Sequence, residues 1–183
     1  MLKYVLLGSL NYLPMTGYEL KQFMDRSTAN FWHARLSQIY VTLKALEGDG
    51  LVTSSIMAQD ARPDRRVYAI TDAGRESLDA WLRDVEMEPG QSKEPLLVKL
   101  FFSARVDKAV LLTELRLQRE LHQKALESLR GETREGIRQT VERAPQLKRD
   151  ALLWDATRRS GELIEEAVLV WFDETIAMVE KEF

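Results

Sequence analysis

Four sets of side chains in this 183-residue chain have types and spacings that could do chemistry. Gln38, Tyr40, Val41 and Lys44 lie within two turns of one amphipathic segment and offer an amide, a phenol, an apolar contact and a cation. That combination suits base edges, thymine methyls and phosphates in the major groove of a duplex. Arg62, Arg65 and Arg66 place three guanidinium groups within five positions, a set for phosphate oxygens, and Thr16 and Tyr18 open a helix, where amides face anions. The bland reading of all these residues is solvated surface or contact with another protein, and the arginines weigh against it. Trp32 and Trp154, with the basic Arg158 and Arg159, supply aromatic walls and cations for a small aromatic acid, although nothing in their spacing requires such a pocket.

Other chemistries lack their residues. There is no cysteine, hence no disulfide, thiolate nucleophile or Cys-rich zinc finger. The two histidines, His33 and His122, stand 89 positions apart with no third to complete a zinc or iron site, whereas magnesium on carboxylates stays open. No Gly-rich phosphate loop, G-x-S-x-G turn or H-E-x-x-H helix occurs, and neighbouring acids such as Glu165 and Glu166 or Asp173 and Glu174 diverge by about 100° on a helix. They read as solvated charge. We therefore expect neither an enzyme nor a cofactor. His122 reads as a packed or hydrogen-bonded residue, and His33 as a phosphate donor or the prelude to a helix cap.

The net charge is 26 minus 29, or -3, so attraction to nucleic acid must come from local arrangement. Residues 26 to 66 hold six Lys or Arg against four Asp or Glu. The first ten residues imitate a secretory leader but lack a small-x-small cleavage site, and the apolar run from Ala167 to Phe172 stops at Asp173. The expectation is a cytoplasmic protein with no membrane span.

Helices and one hairpin must position the candidate residues. Leu2, Leu6, Leu10 and Leu13 share a face of a helix over residues 2–12, ended by Pro14. Thr16-Gly-Tyr-Glu19 has capping-box spacing for a second, short helix to about Asp25. Ser37 is a candidate N-cap for a third helix, with Ile39, Leu43 and Leu46 as its buried stripe and Gly48 and Gly50 as its stop. Leu51 to Met57 and Arg66 to Ile70 read as the strands of a hairpin with a long basic tip. Thr71 caps a fourth helix with Leu78, Trp81, Leu82 and Val85 on one stripe, and Trp81 reads as core packing. Three helices, a basic hairpin and another helix define a winged helix.

The polar stretch from Glu86 to Glu94, with Pro89 and Gly90, is the candidate boundary between a winged helix-turn-helix domain at 1–86 and a helical domain at 87–183. In the second domain Pro95 opens a short helix to Ser103. Asp107 caps a long one with Leu111, Leu115, Leu126 and Leu129 on one stripe. Gly131 and Gly136 bracket a looser region. From Gln146 to Glu180 one helix of about 50 Å carries Ile164, Val168, Trp171, Thr175 and Met178 at alternating steps of four and three, the seam of a helix that packs along another, here assigned to dimerisation. The fold class is mainly α, a winged helix with its small β-wing followed by an all-helical domain.

Residues spread along the chain are similar to the PadR family of transcriptional regulators, in its longer branch. Thr16-Gly-Tyr-Glu-Leu20, Phe31-Trp32, Ser37-Gln-Ile-Tyr-Val-Thr-Leu43, Leu46-Glu-Gly-Asp-Gly-Leu-Val52 and Pro63-Asp-Arg-Arg-Val-Tyr-Ala-Ile-Thr-Asp-Ala-Gly-Arg75 carry the likeness in order and spacing. The second half matches by length, helix order and a Trp-rich last helix. The resemblance implies a homodimer held by the C-terminal helices with help from the first helix, binding an inverted repeat in double-stranded DNA. It places Tyr18, Gln38, Tyr40, Lys44, Arg65 and Arg66 against the duplex, in agreement with the reading of the residues themselves. Ser37 and Val41 depart from the Gly and the Pro or Arg of many relatives, which touches base preference rather than docking. Many members are repressors released by small aromatic compounds, while others activate through a partner regulator.

The expected function is a dimeric regulator, taken as a repressor, with recognition helices about 34 Å apart. If Lys44, Arg62, Arg65 and Arg66 of two protomers each meet a phosphate, log K falls against log salt with a slope no steeper than about -7. On this reading Arg65→Ala weakens binding to all sequences alike. The rivals are a winged-helix protein-interaction module working through its apolar C-terminal seam, and a ligand sensor with weak DNA binding.

Overall fold

The computed structural model describes residues 1–29, 31–57, 65–85 and 94–183. The chain divides into two compact units, Met1–Pro89 and Gly90–Phe183.

In the first unit α1 (Leu2–Tyr12) buries Leu6, Leu7 and Leu10, while Leu13 falls beyond the helix end and is exposed. A two-residue strand β1 (Met15–Thr16) follows, too short to show any alternation in the sequence. Thr16 then caps α2 (Gly17–Ser27) with the full reciprocal box: its hydroxyl accepts from Glu19 N–H, and the Glu19 carboxylate accepts from Thr16 N–H at 2.8 Å. The third helix, α3, spans Leu36–Gly48 and buries Ile39, Leu43 and Leu46 as the periodicity requires. Its N-cap is Arg35, not Ser37. Gln38 explains the shift, because its side-chain oxygen accepts from Arg35 N–H at 2.8 Å and closes the helix two residues earlier. Gly50 turns the chain with φ of 71°, the left-handed conformation that glycine adopts without a Cβ penalty.

Strands β2 (Val52–Met57) and β3 (Arg65–Ile70) pair antiparallel from Val52 opposite Ile70 to Met57 opposite Arg65, and β1 adds to the far edge of β3 to give the order β1-β3-β2. Arg65 and Arg66 thus belong to the strand, and Arg62 of the expected tip lies outside the described residues. Thr71 caps α4 (Asp72–Arg83) by accepting from Gly74 N–H. Trp81 stacks on Tyr4 with ring centroids 4.6 Å apart and clips α4 to α1. The stripe expected on α4 is shorter than its periodicity implied: Leu78 is buried, but Leu82 is exposed and Val85 lies past the helix end. Leu6, Leu10, Leu20, Met24, Ile39, Leu43, Val52, Tyr68 and Leu78 form one core between the helices and the sheet.

The second unit is helical throughout: α5 (Pro95–Phe101), a 3-10 turn at Ser103–Arg105, α6 (Lys108–Ser128), a π-turn at Leu129–Thr133, α7 (Arg134–Arg143), a 3-10 turn at Pro145–Leu147 and α8 (Lys148–Glu182). Asp107 caps α6 by accepting from Ala109 N–H. The glycines do not loosen the chain as expected, since Gly131 sits in the π-turn and Gly136 inside α7. Helices α6 and α8 run antiparallel, with Leu111, Leu112 and Leu115 packed on Phe172 and Val179. Arg116 pairs with Glu180, Arg119 with Asp173 and Arg130 with Glu162 and Glu166 along the flanks. His122 Nδ1 stands 2.6 Å from the Glu165 carboxylate with its ring beside Phe172, so Glu165, Glu166 and Asp173 are bridging partners rather than free solvated charge.

On α8 the expected seam straddles two faces. Thr175 is buried within the protomer, Val168 and Trp171 are half-buried against α6, and Ile164 and Met178 are exposed. The buried stripe is Leu169, Phe172, Thr175 and Val179, rotated by about a fifth of a turn. A second stripe, Leu163, Ile164, Val170 and Met178, faces away from it uncovered.

Candidate nucleic-acid interface

Burying Ile39, Leu43 and Leu46 turns Gln38, Val41 and Lys44 outward together on α3, and all three are exposed. Lys44 has no carboxylate partner among the described residues. Tyr40 lies on the flank of this face, half-exposed over the start of α2, so close to Gly17 that a Cβ there would stand 2.5 Å from the Tyr40 ring. Gly17 therefore lets the phenol lie flat against α2. Tyr18 is exposed beside it, whereas Thr16 is buried with its hydroxyl spent on Glu19. Of the two residues assigned to the helix start, only Tyr18 presents its side chain to solvent.

The two arginines of β3 leave the strand on opposite faces and meet different helices. Arg65 pairs with Glu19 at the start of α2. Arg66 donates from Nη2 to Glu47 at 2.6 Å and from Nε to Ser54 Oγ at 2.8 Å, with its guanidinium 5.5 Å from the centre of the Tyr68 ring. Ser54 donates in turn to Glu47. The Ser54 hydroxyl and Arg66 hold the Glu47 carboxyl below the usual carboxylate range, and Glu47 raises Arg66 further. Backbone N–H donation from Thr16, with smaller help from Arg65, lowers Glu19 against the opposing effect of burial. Burial raises the Tyr68 phenol. Neither ion pair is legible in the sequence. The capping box gave Glu19 its backbone role, but no local signal joins it to Arg65, 46 positions on, or Glu47 to Arg66.

The effector candidates divide between the units. Trp32 is half-buried against the first core, and its indole Nε1 is buried with no hydrogen-bond partner among the described residues. Trp154 is half-buried on α8. Arg158 is enclosed, with Nε on Asp155 at 2.6 Å and Nη1 on Glu162 at 2.8 Å, so its charge is already matched by this chain's own carboxylates. Among the described residues no group of three or more His, Cys, Asp or Glu could hold a metal ion, and no helix is long and apolar enough to cross a membrane.

A helix-turn-helix with an outward recognition-type face, a wing braced against both of its helices and a separate antiparallel helical unit define a winged-helix regulator architecture. Residues 6–80 match the transcriptional regulator PadR-like family and residues 92–180 the virulence activator alpha C-term family. The probable transcriptional regulator Rv1176c of Mycobacterium tuberculosis is 33% identical to this chain, covering 94% of each. The negative transcriptional regulator PadR of Bacillus subtilis is 26% identical over 99% of this chain and 98% of its own. Its crystal structure in complex with operator DNA superposes with a TM-score of 0.76 at 23% identity, covering 97% of this chain and 98% of that one. It has also been solved with p-coumaric acid, with a TM-score of 0.67. The virulence activator AphA of Vibrio cholerae matches with a TM-score of 0.68 at 25% identity over 98% of both chains. The chain belongs to the PadR-like family of transcriptional regulators, and so to a class of regulators and not of enzymes.

Proposed function

We propose that this protein is a cytoplasmic repressor that binds an inverted-repeat operator as a homodimer. The observation that carries the reading is the exposed set Gln38, Val41 and Lys44 on the helix that follows the turn, with Tyr18 and Tyr40 beside it. An amide, a methyl-sized apolar surface and a cation on one helix face match the edges of a major groove. The uncovered stripe of Leu163, Ile164, Val170 and Met178 on α8 supports pairing of two copies, and two-fold symmetry then asks for a palindromic site. B. subtilis PadR, a negative regulator solved on operator DNA, supports the repressor assignment.

The test is binding of the purified protein to the DNA upstream of its own reading frame, beside random duplex, at two salt concentrations. Tighter, salt-sensitive binding to the upstream DNA, from a species of twice the 21.1 kDa chain mass, is the expected result. No binding at low salt would overturn the reading in favour of a protein-interaction module. Gln38→Ala should cost about 1–3 kcal/mol of discrimination between upstream and random DNA. Part of its effect falls on α3 itself, because Gln38 also closes the helix start, and a circular-dichroism melt separates that part. Equal loss on both duplexes would remove Gln38 from base recognition.

An aromatic acid effector is supported by the p-coumaric acid complex of B. subtilis PadR and by the unpartnered indole N–H of Trp32. With Arg158 occupied, Trp32 is the residue to follow. Titration with p-coumaric acid, read by tryptophan fluorescence and by loss of DNA binding, tests this. A flat response in both would leave no effector role for Trp32.

A further inference from the structure

Two of the three arginines that made the wing look basic are neutralised by carboxylates from the helix-turn-helix. Arg65 is tied to Glu19 of α2, and Arg66 is tied to Glu47 of α3, to Ser54 of β2 and to the face of Tyr68. These are contacts between elements, spanning 46 and 19 positions, and not the i,i+4 pairs that any charged helix surface acquires. Glu19 also closes the α2 box, and Ser54 hydrogen-bonds both Glu47 and Arg66, so each carboxylate is fixed by a second bond that does not depend on the arginine. Lys44, on the same side of α3 as Val41, has no such partner among the described residues. The wing root is therefore built to be rigid and close to neutral, while the recognition face keeps its cation.

We propose that Glu19 and Glu47 are specificity-determining residues that hold Arg65 and Arg66 as struts between wing and helices and withhold them from sequence-independent phosphate binding. The proposal rests on the DNA-binding reading above, but takes Arg65 and Arg66 out of the phosphate contacts that the sequence assigns to them. Specificity is a difference between two affinities, and non-specific affinity is set almost wholly by phosphate neutralisation with release of counterions. A guanidinium already paired with a fixed carboxylate releases few counterions from DNA, because its neighbour's negative charge offsets the attraction and its donors are engaged. Keeping two arginines out of that sum lowers binding to random duplex and leaves the base contacts of α3 untouched. The salt slope of the wild type is then clearly shallower than the bound of about -7 that four free cations in each of two protomers would give.

The experiment measures binding to upstream DNA and to a random duplex across a salt series for the wild type, Glu47→Gln, Glu19→Gln and the charge-balanced double variant Glu47→Gln with Arg66→Gln. Glutamine keeps the size of each side chain, and at position 19 it keeps the capping box. Each single variant is expected to bind random duplex more tightly, with a slope steeper by about 0.9 for every arginine released to a phosphate. The ratio of upstream to random binding falls. The double variant is expected to keep the wild-type slope on random duplex, since it replaces a neutral pair by neutral amides. Single variants that bind random duplex no tighter than the wild type, with unchanged slope, overturn the proposal. So does a double variant whose slope becomes shallower by about 1.8, one lost contact in each of two protomers, which would make Arg66 a phosphate contact in the wild type. A melting curve that matches the wild type accompanies each variant, and a variant that melts early is judged by the double variant instead. Wild-type protein that binds neither duplex in a salt-dependent way removes the DNA reading itself, a different result from salt-dependent wild-type binding that the variants fail to strengthen.

Discussion

Gly74→Ala is expected to destabilise the first unit by about 3 kcal/mol, against the usual sense of a glycine-to-alanine change in a helix. An exposed helical glycine replaced by alanine gains stability, by up to about 1 kcal/mol. Gly74 lies in the first turn of α4, where a Cβ would stand 2.1 Å from the Leu51 carbonyl oxygen, 3.1 Å from its carbon and 2.7 Å from Ile70 Cγ1. The first two are backbone atoms. Leu51 O also accepts from Thr71 N–H at 3.1 Å, and Thr71 accepts from Gly74 N–H at 3.1 Å, so the strand start, the cap and the helix are locked at one point. Relief requires α4 to move off the sheet and open the core at Leu78 and Ile70. For a unit of this size the loss lowers the melting temperature by roughly 10–20 °C. A variant melting at or above the wild type would show that α4 does not approach the sheet this closely. Gly17→Ala makes an instructive contrast. Its Cβ would meet the Tyr40 ring, a side chain able to swing away, so the melt should change little while affinity for DNA falls.

The contrast between these two glycines marks what the sequence could and could not disclose. Thr16 with Glu19, and Thr71 ahead of Gly74, are local signals acting over three residues, and both caps are read correctly from the sequence. The buried stripe of α3 follows from a period of 3.6, and its outward face follows by subtraction. Gln38 shows the limit of that subtraction. Its exposure is legible, but its second task of closing the helix start is not, and it displaced Ser37 as the organiser of the N-terminus. Strand β1 has two residues and exists only because β3 offers it an edge, a partner 51 to 53 positions away. The carboxylates that bind Arg65 and Arg66 are invisible for the same reason: ion pairs across a fold have no periodicity. On α8 the alternating steps of four and three picked Ile164 to Met178, but in a 35-residue helix a stripe of that spacing drifts across faces, and it runs from solvent to the core at Thr175 and back.

Arg158→Met is expected to destabilise the second unit by about 2–3 kcal/mol, although methionine fills much of the same space. Arg158 is 7% exposed and serves three acceptors: Asp155, Glu162 and, at 3.4 Å, the Leu129 carbonyl. Leu129 opens the π-turn, where a backbone carbonyl loses its ordinary partner four residues on. The guanidinium satisfies that carbonyl from α8 and so ties the end of α6 to the long helix. Removal breaks that tie between the π-turn and α8, while Glu162 keeps Arg130 and Arg159, each at 3.0 Å, which limits the loss. The hydrogen bonds from Arg130, Arg158 and Arg159 hold the Glu162 carboxyl at about 2, below its ordinary 4.5. A folded-state value below the unfolded one means that the stabilisation is complete above pH 4.5 and is lost as pH falls toward 2. Denaturant unfolding at pH 7 should therefore show the full gap between wild type and Arg158→Met, and unfolding at pH 3 a smaller one. Adding Glu162→Leu to Arg158→Met should recover part of the loss at pH 7, since an apolar pair needs no partner and Arg130 and Arg159 are half-exposed. Equal stability of Arg158→Met and wild type at pH 7 would free Arg158 from this structural task and return it to the list of candidate ligands for an acidic effector.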